Sequence, residues 1–229
     1  MKRRRAVLVA AVGVFILATL GAVLPELVDK TFPHLNSGMS SQAPTGSAAE
    51  VLAQLAVKGR APKTGYSRDQ FGKGWGQTNG CDTRDIILYR DLQNPQLNGE
   101  CTVIAGTLDD PYTGKTIQFT KSHSTAVQID HVVALSDAWQ KGAQQLTAAR
   151  RKQLANDPLE LLAVDGPTNQ AKGDGDAATW LPSNKAFRCN YVARQIAVKK
   201  KYGLWVTDAE KRAMAGVLTK CSGQVLPNA

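Results

Sequence analysis

The chain reads as an α+β protein of small antiparallel strands plus helices, braced by disulfides, and three observations lead there. Short turn-bounded runs rich in β-branched and aromatic residues fill the middle third, helical spacing with capping signals follows, and four cysteines sit in a chain whose N-terminus has export architecture.

In chain order, the basic cluster Lys2 to Arg5 precedes an apolar run from Ala6 to Leu24. Residues 1–28 therefore read as a signal peptide or an uncleaved N-terminal membrane anchor. No Ala-x-Ala triplet decides for cleavage, and the run is just long enough to span a bilayer. The expected product is secreted or extracytoplasmic, with a membrane tether left open. Residues 29–48 read as a flexible linker, because from Asn36 to Ala49 the composition turns to Ser, Gly, Ala, Pro and Gln. A single folded domain is expected over 49–229. Val51 to Val57 has helical spacing and ends at Gly59 and Pro62.

Strands are expected at Ile86 to Tyr89, Thr102 to Ala105, Thr116 to Phe119 and Val127 to Val133, with Asp109-Asp110-Pro111 and Thr113-Gly114 as turns. Helices follow at Ser136 to Gly142 and Thr147 to Asn156. Leu159 to Val164 reads as a strand or a buried helical turn. The last third is helical over Lys185 to Lys201 and Thr207 to Lys220, the second opened by a Thr207-x-x-Glu210 capping box. Of three possible cysteine pairings, Cys81–Cys101 with Cys189–Cys221 is expected, since each closes a short loop within one half of the domain.

The formal net charge is +9. Such a surface suits nucleic acid, anionic lipid or acidic wall polymer. No phosphate-cradling Gly-rich loop and no Gly-x-Ser-x-Gly elbow appears, which argues against nucleotide hydrolysis and serine esterase chemistry.

The chemistry-bearing pattern is Asp130-His131 at the end of one strand, a second strand near Leu159 to Val164, then Asn169-Gln170-Ala171-Lys172-Gly173-Asp174 opening a helix. In a hairpin followed by a helix, a carboxylate from the first strand and an oxygen from the helix can share a hard divalent cation. Neighbouring strand residues face opposite ways, so a bend or strand end at Asp130-His131 is part of the expectation.

These blocks, with Ile129 to Leu135, Asn156-Asp157-Pro158, Leu161 to Val164 and Trp180-Leu181-Pro182 in order, resemble the HNH (ββα-metal) endonuclease superfamily. The nearest subgroup resembles exported actinobacterial proteins related to the C-terminal nuclease domain of GmrSD-type restriction enzymes. The resemblance covers Tyr66 to Cys221. It implies helices and strands around a ββα-metal motif and an endonuclease acting on nucleic acid, DNA more than RNA. It implies His131 as general base, Asp130 and Asn169 as ligands of Mg2+, Mn2+ or another divalent metal, and no organic cofactor. Where the family has a loop-bracing Asn, this chain has Glu160, so Asn156 is the stand-in brace and Asp174 a second-sphere contact. The alternative function is a non-catalytic basic exported domain that binds extracellular DNA or anionic cell-wall polymer.

Other residues are weighed individually. Arg84 and Lys172 are candidate phosphate contacts. Arg68 and Arg90 have the same reading, although each of the three arginines adjoins an aspartate in sequence. Lys199-Lys200-Lys201 serves either a phosphate or the helix dipole. Trp139, Trp180, Trp205 and Tyr191 are expected in the core, His123 in a solvated loop, and His34 outside any site.

Overall fold

The structure is a computed structural model that describes residues 47–227. The export segment, most of the linker and His34 lie outside these residues. Ser47 and Glu50 form a reciprocal capping box that opens α1 (Ala48–Gln54), one residue before the expected domain start. The helix stops at Gln54 rather than Val57, because Val57 makes a parallel bridge to Val206.

A 3-10 turn at Arg68–Phe71 and the small hairpin β1 (Gln77–Thr78) and β2 (Cys81–Asp82) lead into α2 (Thr83–Asp91). The strand expected at Ile86 to Tyr89 is thus a helix. Asp82 caps it by accepting from the Asp85 amide, and Thr83, Ile87 and Leu88 form its buried face. The cap and one-sided burial outweigh the local β propensity of two isoleucines.

The chain then builds an antiparallel sheet of β3 (Gln93–Asn98), β4 (Thr102–Asp109) and β5 (Thr116–Thr120), in that spatial order. The first strand has no counterpart in the expectation. It holds Pro95 and carries register shifts, features tolerated at a sheet edge. A second antiparallel pair joins β6 (Val127–His131) to β7 (Leu161–Asp165), placing Asp130 opposite Leu162 and His131 opposite Leu161. The ambiguous Leu159 to Val164 run therefore resolves to strand. Between the two strands the chain makes α3 (Leu135–Gln140), a short 3-10 turn and α4 (Ala148–Ala155).

Directly after β7 comes α5 (Gly166–Lys172), capped by Asp165, which accepts from the Thr168 amide. Its first residue has to be glycine: a Cβ at Gly166 would lie 1.9 Å from the Thr125 carbonyl oxygen, so α5 packs closely beside the start of β6. Two longer helices, α6 (Arg188–Tyr202) and α7 (Asp208–Leu218, opened by the Thr207/Glu210 capping box), complete the domain. Both expected disulfides are present, Cys81–Cys101 and Cys189–Cys221.

The β6–β7 hairpin divides the apolar interior. Val127, Ile129, Leu161 and Ala163 pack with α2 and the three-stranded sheet, whereas Leu162 and Val164 pack with the helices. Strand alternation therefore aims Gln128 and Asp130 toward α5.

Beneath the helices, Lys141 contacts Asp137, Asp176 and Glu210, each at 2.7 Å, and Lys199 contacts Glu210 at 3.0 Å. Arg60 closes this network from the rim through Asp137 and Asp176. Lys199 is fully buried there, which removes it from the phosphate reading. Lys200 and Lys201 are engaged with Gln54 and Asp157. Tyr191 in α6 and Trp139 in α3 are buried, as expected of core residues; Trp205, in the connection between α6 and α7, is buried as well, and Trp180 is half-buried.

Candidate metal and acid–base centre

An open cleft of about 560 Å³ lies where β6, α5 and the segment 63–75 meet, with Asp130, His131, Asn169 and Asp174 among its walls. It brings together Asp130 and Asn169, 39 positions apart, only because β7 returns the chain antiparallel to β6 and α5 follows at once.

Asp130 sits on the α5 side. Its Oδ1 accepts from Lys172 Nζ at 2.9 Å, and its Oδ2 accepts a very short hydrogen bond from the Tyr112 hydroxyl. Burial raises the carboxyl above its ordinary value, while the Lys172 ammonium and the Tyr112 hydroxyl oppose that shift. Tyr112 is fully buried and, through burial and the adjacent Asp130, is held well above a normal phenol, so it remains a donor. Each carboxylate oxygen accepts one bond here and keeps a further lone pair.

Asn169 stands one helical turn before Lys172 on the same face of α5. It donates Nδ2–H to Gln128 Oε1 at 3.0 Å, and its Oδ1 takes no bond among the described residues. A carboxylate and an amide oxygen form the donor set of a hard cation such as magnesium or manganese, which keeps waters and substrate oxygens in its remaining positions. These residues fit such an ion. Among the described residues no group of three or more His, Cys, Asp or Glu side chains is placed to hold a metal.

His131, the last residue of β6, faces the other way. Its Nε2 lies 3.0 Å from the Ala155 carbonyl, an acceptor only, so Nε2 carries the proton and Nδ1 is left as a base. Its ring stacks on Trp75, the planes within 5° and the centroids 5.7 Å apart. Burial lowers the imidazole pKa to about 3, with Arg68 and Lys172 adding repulsion, so the ring is neutral at physiological pH. The strand's end, rather than a bend inside it, lets both Asp130 and His131 border the cleft.

Several expected roles change. Lys172 is buried, donating to Asp130 and to the His131 carbonyl at 2.8 Å, so it serves the centre from beneath and offers nothing to a phosphate. Arg90 is clamped on Asp91 and on the Pro158 and Leu161 carbonyls, where it ties α2 to β7. Asn156 does not line the cleft. It accepts from the Gly76 amide at 2.6 Å and thereby braces the segment that carries Trp75. The turn after β6 is braced by Glu160, whose carbonyl accepts from the Val132 amide and whose carboxyl accepts from the Val133 amide. Asp174 stands at the rim, bonded to Lys63 and Ser136. Arg84 is half-buried at the cleft wall over the Phe119 ring, and Arg68 is exposed at the opening. His123 bonds to its neighbours Thr120 and Ser122 and lies outside the cleft.

Sequence reasoning missed Trp75, Tyr112 and the bracing role of Glu160. Trp75 carried one local signal, its position in the Gly72-Lys73-Gly74-Trp75-Gly76 run, where a lone aromatic among glycines has few core neighbours in its own segment.

Comparison with known proteins gives two findings. The family described as GmrSD restriction endonucleases, C-terminal domain, matches residues 82–217. An uncharacterized secreted protein of Arthroderma benhamiae is 40% identical over 182 residues, covering 78% of this chain and 87% of the relative. No solved structure matches.

Proposed function

Because this chain belongs to the family of GmrSD restriction endonuclease C-terminal domains, we propose that it is an exported, divalent-metal-dependent endonuclease that hydrolyses phosphodiester bonds, in DNA in preference to RNA. One observation carries the reading: His131 is neutral, its Nε2 proton is committed to the Ala155 carbonyl, and its Nδ1 is left basic in a residue that lines the same cleft as Asp130 and Asn169. The two disulfides suit an oxidising compartment, as does the printed description of the relative as secreted. The membrane-anchor alternative rests on residues 1–28, which lie outside the described residues; among the described residues no helix is long and apolar enough to cross a membrane.

In this mechanism Asp130 and Asn169 hold the ion, which when bound supplies charge stabilisation on the phosphoryl oxygens. Lys172 and Tyr112 hold the Asp130 carboxylate in one orientation, each taking one lone pair of an oxygen and leaving another for the ion. His131 accepts a proton from the attacking water at Nδ1. Its depressed basicity reflects burial and the nearby Arg68 charge. A phosphate docked on Arg68 screens that charge and strengthens the base when substrate is present. Arg84 and Arg68 line the cleft and supply phosphate donors.

The test is incubation of the oxidised protein with plasmid DNA and with RNA, in magnesium, in manganese and in excess chelator, beside His131→Ala. Cleavage that needs both metal and His131 is the expected result. Salt-sensitive binding with no cleavage in any metal, by protein shown to be folded, would instead make it a binding module for extracellular DNA or wall polymer.

A further inference from the structure

Next to the cleft lies a smaller side pocket of about 120 Å³ that shares Arg68, Trp75, His131 and Leu135 with it. Its remaining wall is Asp69, Phe71 and Ala155 together with Gly72 and Gly74, which contribute only backbone. The lining thus combines aromatic and aliphatic side chains, Phe71, Trp75, Leu135 and Ala155, with the polar backbone of Gly72 and Gly74 and the His131 ring, and its charged groups, Arg68 and Asp69, are exposed. That composition suits a planar aromatic ligand whose polar edge and charged backbone remain outside.

The pocket is built in advance. The segment that forms it is tied down by the Asn156 bond to the Gly76 amide and by Arg151, which donates to the Gln70 carbonyl at 2.9 Å. Tyr66, Phe71 and Trp139 pack edge to face behind it, with centroids 6.2 to 6.4 Å apart. Arg68, at the lip common to pocket and cleft, makes no hydrogen bond or ion pair among the described residues. Trp75 is half-buried, and it too borders both spaces.

Resting on the nuclease reading, we infer that this side pocket receives one nucleobase, turned out of its stack beside the scissile phosphate. The part of the Trp75 indole not covered by the His131 ring is the stacking surface, and Arg68 holds the phosphate that links this base to the strand in the cleft. Stacking requires only a π-face, so the pocket selects for an unpaired or easily everted nucleotide rather than for a sequence. It makes cleavage favour single-stranded or locally opened substrate.

The experiment measures binding, in chelator so that no strand is cut, of short single-stranded deoxyoligonucleotides in which one abasic residue is walked along the chain. At one position, loss of the base is expected to weaken binding to the unmodified protein about 10-fold, within the span that base–aromatic stacking covers. The same loss should cost Trp75→Ala less than about twofold, while Trp75→Phe keeps most of the dependence. Absence of any base-dependent position, or an undiminished dependence in Trp75→Ala, overturns the inference. Should Trp75→Ala fail to fold, 2-aminopurine at the sensitive position reads the same contact in the unmodified protein: quenching on binding supports it, and unquenched emission overturns it. Cleavage of the same oligonucleotides in magnesium is scored separately. Metal-dependent cutting without base dependence sinks the pocket alone, whereas neither binding nor cutting sinks the nuclease reading and the pocket with it.

Discussion

Lys172→Met exchanges a buried ammonium for an apolar side chain of similar length and strands the groups that the ammonium serves. Lys172 Nζ donates to Asp130 Oδ1 at 2.9 Å and to the His131 carbonyl at 2.8 Å, with side-chain exposures of 0% for Lys172 and 6% for Asp130. Breaking a buried ion pair from one side costs about 3–5 kcal/mol, because the remaining charge is left without compensation. Asp130 keeps the Tyr112 hydroxyl and can take up a proton, which places the expected loss near the lower end, about 3 kcal/mol at neutral pH. For a domain of this size that is a fall in Tm of about 6–12 °C. The sign with pH follows from Asp130. Its carboxyl, already raised by burial, rises further without the lysine, so the variant's deficit is smallest in acid and grows as pH rises above the ordinary carboxylate range. Adding Asp130→Asn replaces the orphaned charge with a neutral amide and should recover about 2 kcal/mol. The assay is urea unfolding of the four proteins with disulfides intact and chelator present, at pH 5 and pH 8. A loss below about 1 kcal/mol for Lys172→Met, or no recovery in the double variant, would refute the claim that this lysine is the counter-ion of a buried carboxylate.

Three further outcomes are expected. Glu160 is fully buried and desolvation holds its carboxyl well above 4.5, so the fold loses stability as pH rises from that value; Glu160→Gln should gain on the native protein between pH 5 and pH 8 in urea unfolding, and a constant difference would show that Glu160 is ionised in the fold. A Cβ at Gly76 would stand 2.9 Å from Asn156 Oδ1, so Gly76→Ala and Asn156→Ala should each loosen the Trp75 segment by about 1–2 kcal/mol, read as faster amide exchange over residues 72–76 with slower protection elsewhere unchanged. Replacing Cys189 and Cys221 together by Ser opens a loop of 32 residues and should cost about 3 kcal/mol of thermal or urea stability, while the same change at Cys81 and Cys101, 20 residues apart, should cost slightly less; a reversed order would mean that strain or residual structure outweighs chain entropy.

Local chemistry made much of this protein legible without coordinates. The Thr207/Glu210 capping box, the α4 start at Thr147 and the strands around Val103 and Ile117 depend on nearest neighbours in the chain, and each lies where caps and alternation put it. The disulfide pairing followed from loop length, whereas the Leu159 to Val164 run was legible only as strand or buried helical turn until its pairing with Val127–His131 made it the second strand before Asn169. Ile86 to Tyr89 was misread for the complementary reason: a four-residue apolar run has no period of its own, and the Asp82 cap together with burial on one side made it helical.

What tertiary structure alone decided is how charge is disposed. Lys172 and Lys199 are indistinguishable from solvated lysines in the sequence, yet both ammonium groups are enclosed, because α5 and α6 lay them against carboxylates from β6, α3 and α7. Tyr112 and Trp75 reach Asp130 and His131 from separate loops, and no periodicity links a loop residue to a distant partner. Sequence encodes backbone propensity through residues a few positions apart, so it determined many of the elements and the order of the Asp130-His131 and Asn169 blocks, but not the α2 helix, the β3 strand or the choice of strand for β7. The tautomer of His131, the orientation of Asp130 and the pocket beside Trp75 depend on contacts between segments tens of residues apart, which exist only once the interior has packed.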